Sequence, residues 1–398
     1  MDLTLTPDEL SFRQSLREFI AAHRHLAPPE SDTRLGTEER RLWQQLLLTN
    51  GFLGRTVPSR YGGYGAKPNL MEQRAISEEF AAAGITDRML VANRQGVSML
   101  VPTLLEYGTE EQKQRWIPPT LRGELIWCQG YSEPGAGSDL AALSTRGRVE
   151  EDHFVITGQK IWTSEAHQAD MMFCLVRTEP EAEKHGGISF ILVPMSAAGI
   201  DVRPLKTMTG RSSFNEVFLT DVCVPLDHLV GARGRGWEVA NEALKHERGA
   251  LGNPEVTQTR FQELVELMTS EKVNGCRLID NPVYTDRLVK LQSWLMALRL
   301  NSARILTCRM KGEEPGLCQL VVKLQGCELN YQLSALAIDV LGEVGVLDGG
   351  SDFVRAGGAW QNNYMFDLGL IIGGGTAQIQ KNIIAERGLG MPRRAHAV

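Results

Sequence analysis

The chain has 398 residues, with 42 Lys plus Arg against 48 Asp plus Glu and a formal net charge of −6. At roughly 100–200 residues per domain, this length predicts two to three domains. Hydrophobic residues make up 42% and charged residues 23%, which excludes a disordered or collagen-like chain; the mild acidity argues against a nucleic-acid surface, which needs a basic face to neutralise phosphates.

No run approaches the roughly 18 consecutive apolar residues of a membrane helix. The strand-like run Ile188–Val193 is short and interrupted by Ser189. The N-terminus (MDLTLTPDELSFRQ) lacks a basic start followed by an apolar core, so no secretory signal is expected. The seven cysteines at 128, 174, 223, 276, 308, 318 and 327 form no CxxC pair. Reduced thiols in a cytoplasmic protein are expected, not a disulfide frame or a zinc site.

The first part, 1–124, reads as helical. Thr6-Pro7-Asp8-Glu9 combines a capping box with proline at the first helical position. Phe12, Leu16, Phe19 and Ile20 then share one face. Asn69 with Glu72 predicts a second box, closed by Gly84, and Thr109 with Gln112 a third. The middle part, 125–230, alternates β-branched and aromatic runs with turn residues: HFVITGQKIWTS, DMMFCLVRTE, GISFILVP and NEVFLTDVCVP. That spacing predicts an antiparallel sandwich or barrel. The last part, 231–398, returns to helix, over Trp237–Arg248, Pro254–Glu271, Pro282–Lys311, Pro315–Leu341 and Thr376–Arg387. Leu288, Leu291, Leu295 and Leu298 make a stripe read as core or a subunit seam. The expected class is therefore α+β multi-domain.

Several common chemistries lack their motif. GxGxxG after a strand, GxxxxGK[ST], HExxH and GxSxG are missing, and the eight histidines form no ligand cluster with cysteines or carboxylates. One segment is distinctive. In Gly130–Asp139 (GYSEPGAGSD), six of ten residues are Gly, Ser or Pro. Its backbone N–H groups and small hydroxyls could meet a polar ligand edge, or the segment could be a tight inter-domain turn. Further on, Gly158–Ser164 (GQKIWTS) sets an indole two positions from a hydroxyl, parts that suit a flat aromatic ligand. Near the C-terminus, Gly373-Gly374-Gly375-Thr376 opens a helix, with glycines that let backbone approach a ligand and free N–H donors beyond them.

Together GYSEPGAGSD, ITGQKIWTS and TAQIQKNIIAERGLG resemble the acyl-CoA dehydrogenase family over essentially the whole chain. The resemblance implies that family's fold: an N-terminal helical domain, a middle β domain and a C-terminal domain like a four-helix bundle. It implies an FAD enzyme that removes hydrogens from Cα and Cβ of an acyl-CoA thioester, hydride leaving Cβ toward flavin N5. Electrons would pass to an electron-transfer flavoprotein. By position, Tyr131 and Ser132 look like contacts to the flavin pyrimidine edge. Trp162, Thr163 and Ser164 look like the segment flanking the ring, with Ser164 near N5. Gly137 and Ser138 look like cofactor contacts, and Ser138 also touches the thioester's pantetheine or nucleotide part. Thr376 looks like a flavin contact, and Arg277 like the arginine reaching a neighbouring subunit's FAD.

The reaction needs a base against Cα. Many members carry a glutamate immediately before the Gly-Thr of the C-terminal motif; here that position is Gly374. The branched-chain and long-chain members use a glutamate directly before an arginine on the first long helix of the last domain. In Lys245-His246-Glu247-Arg248, Glu247 therefore resembles the base, with Arg248 beside the substrate. The alternative reading is a surface charge paired with Arg248 or Lys245. In the family the residue at Gly374 also supplies a backbone N–H to the thioester carbonyl, a role that survives loss of the side chain. The segments KHER, RLID and GGGT…GLGMPR resemble the branch that serves sterol side-chain breakdown in actinobacteria, which implies a homotetramer or an α2β2 heterotetramer. Lys245, where members often have Asp or Asn, and Asp339, where many have Gln, depart from the pattern. A non-catalytic subunit completing another chain's FAD site, or a dehydrogenase or oxidase of carrier-protein thioesters, are the competing expectations. No nucleic acid or membrane partner is expected.

Overall fold

The computed structural model describes residues 5–347 and 349–392; at 87–88 and 247–251 it describes the backbone alone. Two compact units emerge, one spanning Pro7–Glu247 and a second from Arg248 onward.

In the first unit, helices α1 (Pro7–His23), α2 (Glu38–Thr49), α3 (Leu70–Ala82), the single turn α4 (Asp87–Leu90), α5 (Val101–Tyr107) and α6 (Glu110–Leu121) precede the strands. The capping box of α6 forms as its sequence predicts: Thr109 Oγ1 accepts from Gln112 N, and Gln112 Oε1 accepts from Thr109 N. The box at α3 forms only in half. Asn69 accepts from Met71 N and Glu72 N, whereas Glu72 pairs with Arg55 at 2.7 Å instead of reaching back.

The strands are β1 (Trp127–Gly130), β2 (Arg146–Glu150), β3 (His153–Ser164), β4 (Met171–Arg177), β5 (Ile188–Pro194), β6 (Ile200–Leu205), β7 (Phe214–Pro225) and the short β8 (Leu229–Val230). They form one eight-stranded sheet ordered β6-β7-β3-β2-β4-β5-β8, with β1 on β4. β2 joins β4 through a single residue pair, Arg146 with Arg177. The sheet therefore folds into two arms, and Phe154, Ile156, Val217 and Leu219 of one arm pack against Met172, Cys174, Ile191 and Val193 of the other. Pairing is antiparallel except at β1–β4 and at the β2–β4 joint. The opposite face of β4 and β5 (Phe173, Leu175, Phe190, Leu192) meets Leu100, Leu104, Trp116 and Ile117 from α5, α6 and the turn before them. β4 and β5 therefore have two apolar faces, because one side meets the other arm and the other side meets helices.

Helix α7 (Gly236–Leu251) follows; its first turns bury Val239, Ala240 and Ala243 in that same core. The second unit holds α8 (Pro254–Ser270), the hairpin β9 (Lys272–Val273) and β10 (Cys276–Arg277), then α9 (Pro282–Met310), α10 (Cys318–Leu341), α11 (Ala359–Ile372) and α12 (Ala377–Ile383). The predicted stripe Leu288, Leu291, Leu295, Leu298 is the buried face of α9, packed with Leu329, Leu333 and Leu336 of α10. Inside this bundle Arg260 Nη1 donates to Asp367 Oδ2 at 2.6 Å and Ser334 Oγ donates to the same oxygen at 2.8 Å, tying α8, α10 and α11. Burial pushes the Asp367 carboxyl up, against the pull of Arg260. The seven cysteines stand outside any disulfide; burial raises the thiol pKa of Cys128 and Cys174, which makes them poor nucleophiles. Among the described residues no helix is long and apolar enough to cross a membrane and no metal-binding cluster occurs.

Candidate active site

Two of the distinctive segments are braced into one object. The loop after β1 makes a tight turn, with Glu133 N donating to Ala136 O at 3.1 Å and Ala136 N to Glu133 O at 3.0 Å. Ile161 N of β3 donates to Ser132 O at 2.9 Å. Between them lies an ion pair sealed from solvent. Lys160 Nζ donates to Glu133 Oε1 at 2.8 Å, with side-chain exposures of 0% and 4%, and also to Tyr131 O at 3.2 Å. The carboxylate further accepts from Ser144 N at 2.6 Å, Ser144 Oγ at 2.8 Å and Thr145 N at 2.9 Å. Burial alone would raise the Glu133 pKa, but the Lys160 charge and these donors outweigh it and hold it at about 2. Sequence reading missed this pair. The alternation of β3 carried the signal, because Lys160 falls on the inward face of Phe154 and Ile156.

Trp162 stands out for its backbone. The pairing of β3 with β7 slips between Lys160 and Thr163, and Trp162 adopts a left-handed φ of 59°. A bulge of this kind re-aims a side chain. It leaves the indole 58% exposed, edge-on to Phe214 at 6.1 Å. A bulky residue in this region is strained by about 1–3 kcal/mol. Ser132 and Ser164 are half-buried nearby in sequence, while Gly137 and Ser138 are exposed. A Cβ added at Gly135 or Gly137 would meet nothing within 4 Å, so the loop leaves open space. Tyr131 and Thr163 are buried. The Tyr131 ring lies edge-on to Phe173 and Phe190 in the core, and Thr163 is fully buried.

A guanidinium joins this loop to the next. Arg177 donates to Ala141 O and Gly186 O, each at 2.7 Å, and to Lys184 O at 3.2 Å. Lys184 Nζ reaches Asp139 at 2.5 Å.

On α7, Glu247 and Arg248 lie among the positions whose side chains fall outside the described residues. Lys245, the lysine of the surface-charge alternative, bonds Glu242 at 2.7 Å.

In the second unit, Gly374 and Gly375 have φ of 63° and 93°. Gln380 Nε2 donates to Gly374 O at 3.3 Å. Thr376 caps α12, its Oγ1 accepting from Ile379 N at 3.1 Å. Arg277 is exposed and forms a two-point pair with Asp280 at 2.8 and 3.0 Å. Asp339 pairs with Arg287 at 2.7 Å.

Family models match along the whole chain: acyl-CoA dehydrogenase N-terminal domain over residues 6–124, middle domain over 128–222 and C-terminal domain over 234–389. Acyl-CoA dehydrogenase IpdE1 of Mycobacterium tuberculosis is 39% identical over 363 residues, 90% of this chain and 89% of that protein. The Tcur3481-Tcur3483 steroid ACAD structure superposes with a TM-score of 0.83 at 30% identity, over 99% of this chain and 100% of that one. The ChsE4-ChsE5 complex from Mycobacterium tuberculosis gives a TM-score of 0.80 at 32% identity, over 99% and 100%. The chain belongs to the acyl-CoA dehydrogenase family and is an oxidoreductase acting on acyl-CoA.

Proposed function

We propose that this chain is an FAD-dependent dehydrogenase that introduces an α,β double bond into a bulky, sterol-derived acyl-CoA, with Glu247 as the base. The carrying observation is a combination at two sequence positions. Position 374 has no side chain, and Glu247 directly precedes Arg248 in the segment Lys245-His246-Glu247-Arg248. The kinship with the steroid ACAD and with IpdE1 supports the substrate class.

The residues present fit the cofactor. An exposed indole held in a strained bulge gains from a planar partner, and the open glycine loop beside the Ser132 hydroxyl suits a polar ring edge. Trp162, Ser164, Ser132 and the main chain at Tyr131, Gly137, Ser138 and Thr163 would hold it; Thr376 is a further proposed flavin contact, and Arg277 the proposed arginine that reaches a neighbouring subunit's FAD. FAD supplies the acceptor for the hydride that leaves Cβ. Glu247 takes the proton from Cα, a transfer whose efficiency depends on a carboxylate positioned against that carbon. The Gly374 N–H donates to the thioester oxygen as negative charge develops there. Arg248 and Ser138 orient the substrate.

Electron-transfer flavoprotein is the proposed acceptor of the electrons, and the cytoplasm the proposed compartment. A tetramer is proposed as well; that one solved relative is a complex of two chain types supports the α2β2 form. In that assembly Glu247 makes this chain the catalytic member, not the silent one.

The test is anaerobic bleaching of the flavin with straight-chain, branched and steroid acyl-CoAs, on the natural protein and on Glu247→Gln. Steroid thioesters should bleach the natural protein fastest. The variant should keep its yellow colour and lose about 10²–10⁴-fold in reduction rate. Unchanged bleaching in Glu247→Gln would exclude Glu247 as the base; no bleaching of the natural protein by any thioester would favour the silent-subunit reading.

A further inference from the structure

We infer that Lys323 is a positioning residue for the reaction: its buried ammonium clamps both ends of the glycine turn that presents the Gly374 N–H. This rests on the proposal that Gly374 donates to the thioester oxygen. Lys323 lies on α10 and is 1% exposed. It donates to Leu370 O at 3.3 Å and to Gly375 O at 2.9 Å. The first carbonyl belongs to the last turn of α11, the second to the residue just past Gly374, so the ammonium bridges the turn from before to after the donor peptide.

The turn needs an external hold. Three successive glycines carry no side chains to restrict their dihedrals and have a large conformational entropy to lose. Two of them occupy left-handed φ. Hydrogen bonds to them run from Gly373 N to Gly369 O at 2.8 Å, from Gln380 Nε2 to Gly374 O and from Lys323 Nζ to Gly375 O. A buried cation is expensive to desolvate, and a neutral or apolar side chain would fill the same volume. The charge is well matched to its place, because the carbonyls ending a helix carry the negative end of its dipole. Orientation of an oxyanion donor within tenths of an ångström is what such an anchor supplies, and a loosened donor weakens transition-state binding more than ground-state binding.

The experiment compares the holoenzyme with Lys323→Met, of similar length and uncharged, and with Lys323→Arg, which keeps donors in a different shape. Two readouts are taken: kcat against KM with the best thioester from the bleaching panel, and the infrared carbonyl band of a bound, non-reacting thioester labelled at that carbonyl. In the natural protein the bound band should lie below its position in water. Lys323→Met should lose about 10–100-fold in kcat with KM changed less than about threefold, and its band should return toward the position in water. Lys323→Arg should fall between the two, and it carries the measurement if Lys323→Met does not fold. A full red shift and full kcat in a folded Lys323→Met overturn the proposal. An unshifted band in the natural protein overturns the Gly374 reading itself, and the lysine's role with it.

Discussion

Replacing Glu133 by glutamine keeps the shape of the side chain and removes its charge from beside Lys160. The ammonium is then left in a site with 0% exposure, and breaking a buried pair from one side costs about 3–5 kcal/mol. The depressed carboxyl gives a figure of the same order. Its pKa falls from an ordinary 4.5 to about 2, which at about 1.4 kcal/mol per tenfold change in proton affinity corresponds to about 3 kcal/mol. The sign follows from linkage. A carboxyl depressed in the folded state stabilises fully above its unfolded pKa, and that stabilisation fades as pH drops from 4.5 toward about 2. Urea unfolding followed by tryptophan fluorescence should therefore show Glu133→Gln less stable by about 3 kcal/mol near neutral pH. The gap between the two proteins should narrow steadily below about pH 4.5. A gap under about 1 kcal/mol at neutral pH, or one that stays constant down to about pH 3, would refute the assignment of this pair as the brace between the loop and β3.

Other outcomes follow from the same geometry. Trp162→Gly removes a left-handed strain at an exposed position, so the apoprotein should gain about 1 kcal/mol in thermal unfolding while FAD retention on dialysis weakens; a variant that loses stability and keeps its flavin contradicts the bulge argument. Gly374→Ala places a Cβ on a residue with φ of 63°, and should lower stability by about 1 kcal/mol and slow bleaching by steroid thioesters more than by short straight ones; equal slowing of both would separate position 374 from substrate width.

How much of this was legible depended on the range of the interactions involved. The face of α9 was readable because four leucines repeat at helical spacing, and β3, β4, β5 and β7 because their apolar runs are long and bounded by turns. The edge strand β6 was not, since it is mostly exposed and contains Pro204. Helix α11 was missed for a different reason. It is preceded by Gly358 in a left-handed conformation with no side-chain cap, and its sequence AWQNNYMFDLGLII lacks a clear polar face. The helix expected from Pro315 begins at Cys318, because Pro315 O accepts from Cys318 N in a turn before it. Motifs located the loop, the indole and the glycine turn. The cations that hold two of them, Lys160 and Lys323, stayed hidden because each acts on residues 27 or more positions away.

Arg177 has a consequence for how this protein can vary. One side chain donates to carbonyls of two separate loops, at Ala141 and at Lys184 and Gly186, so neither loop can lengthen or shorten alone without stranding partly buried donors. Drift in the segment between β4 and β5 would thus be registered at the glycine-rich turn, and relatives that differ in size at one of these places should carry a matching change at the other or a different residue at 177.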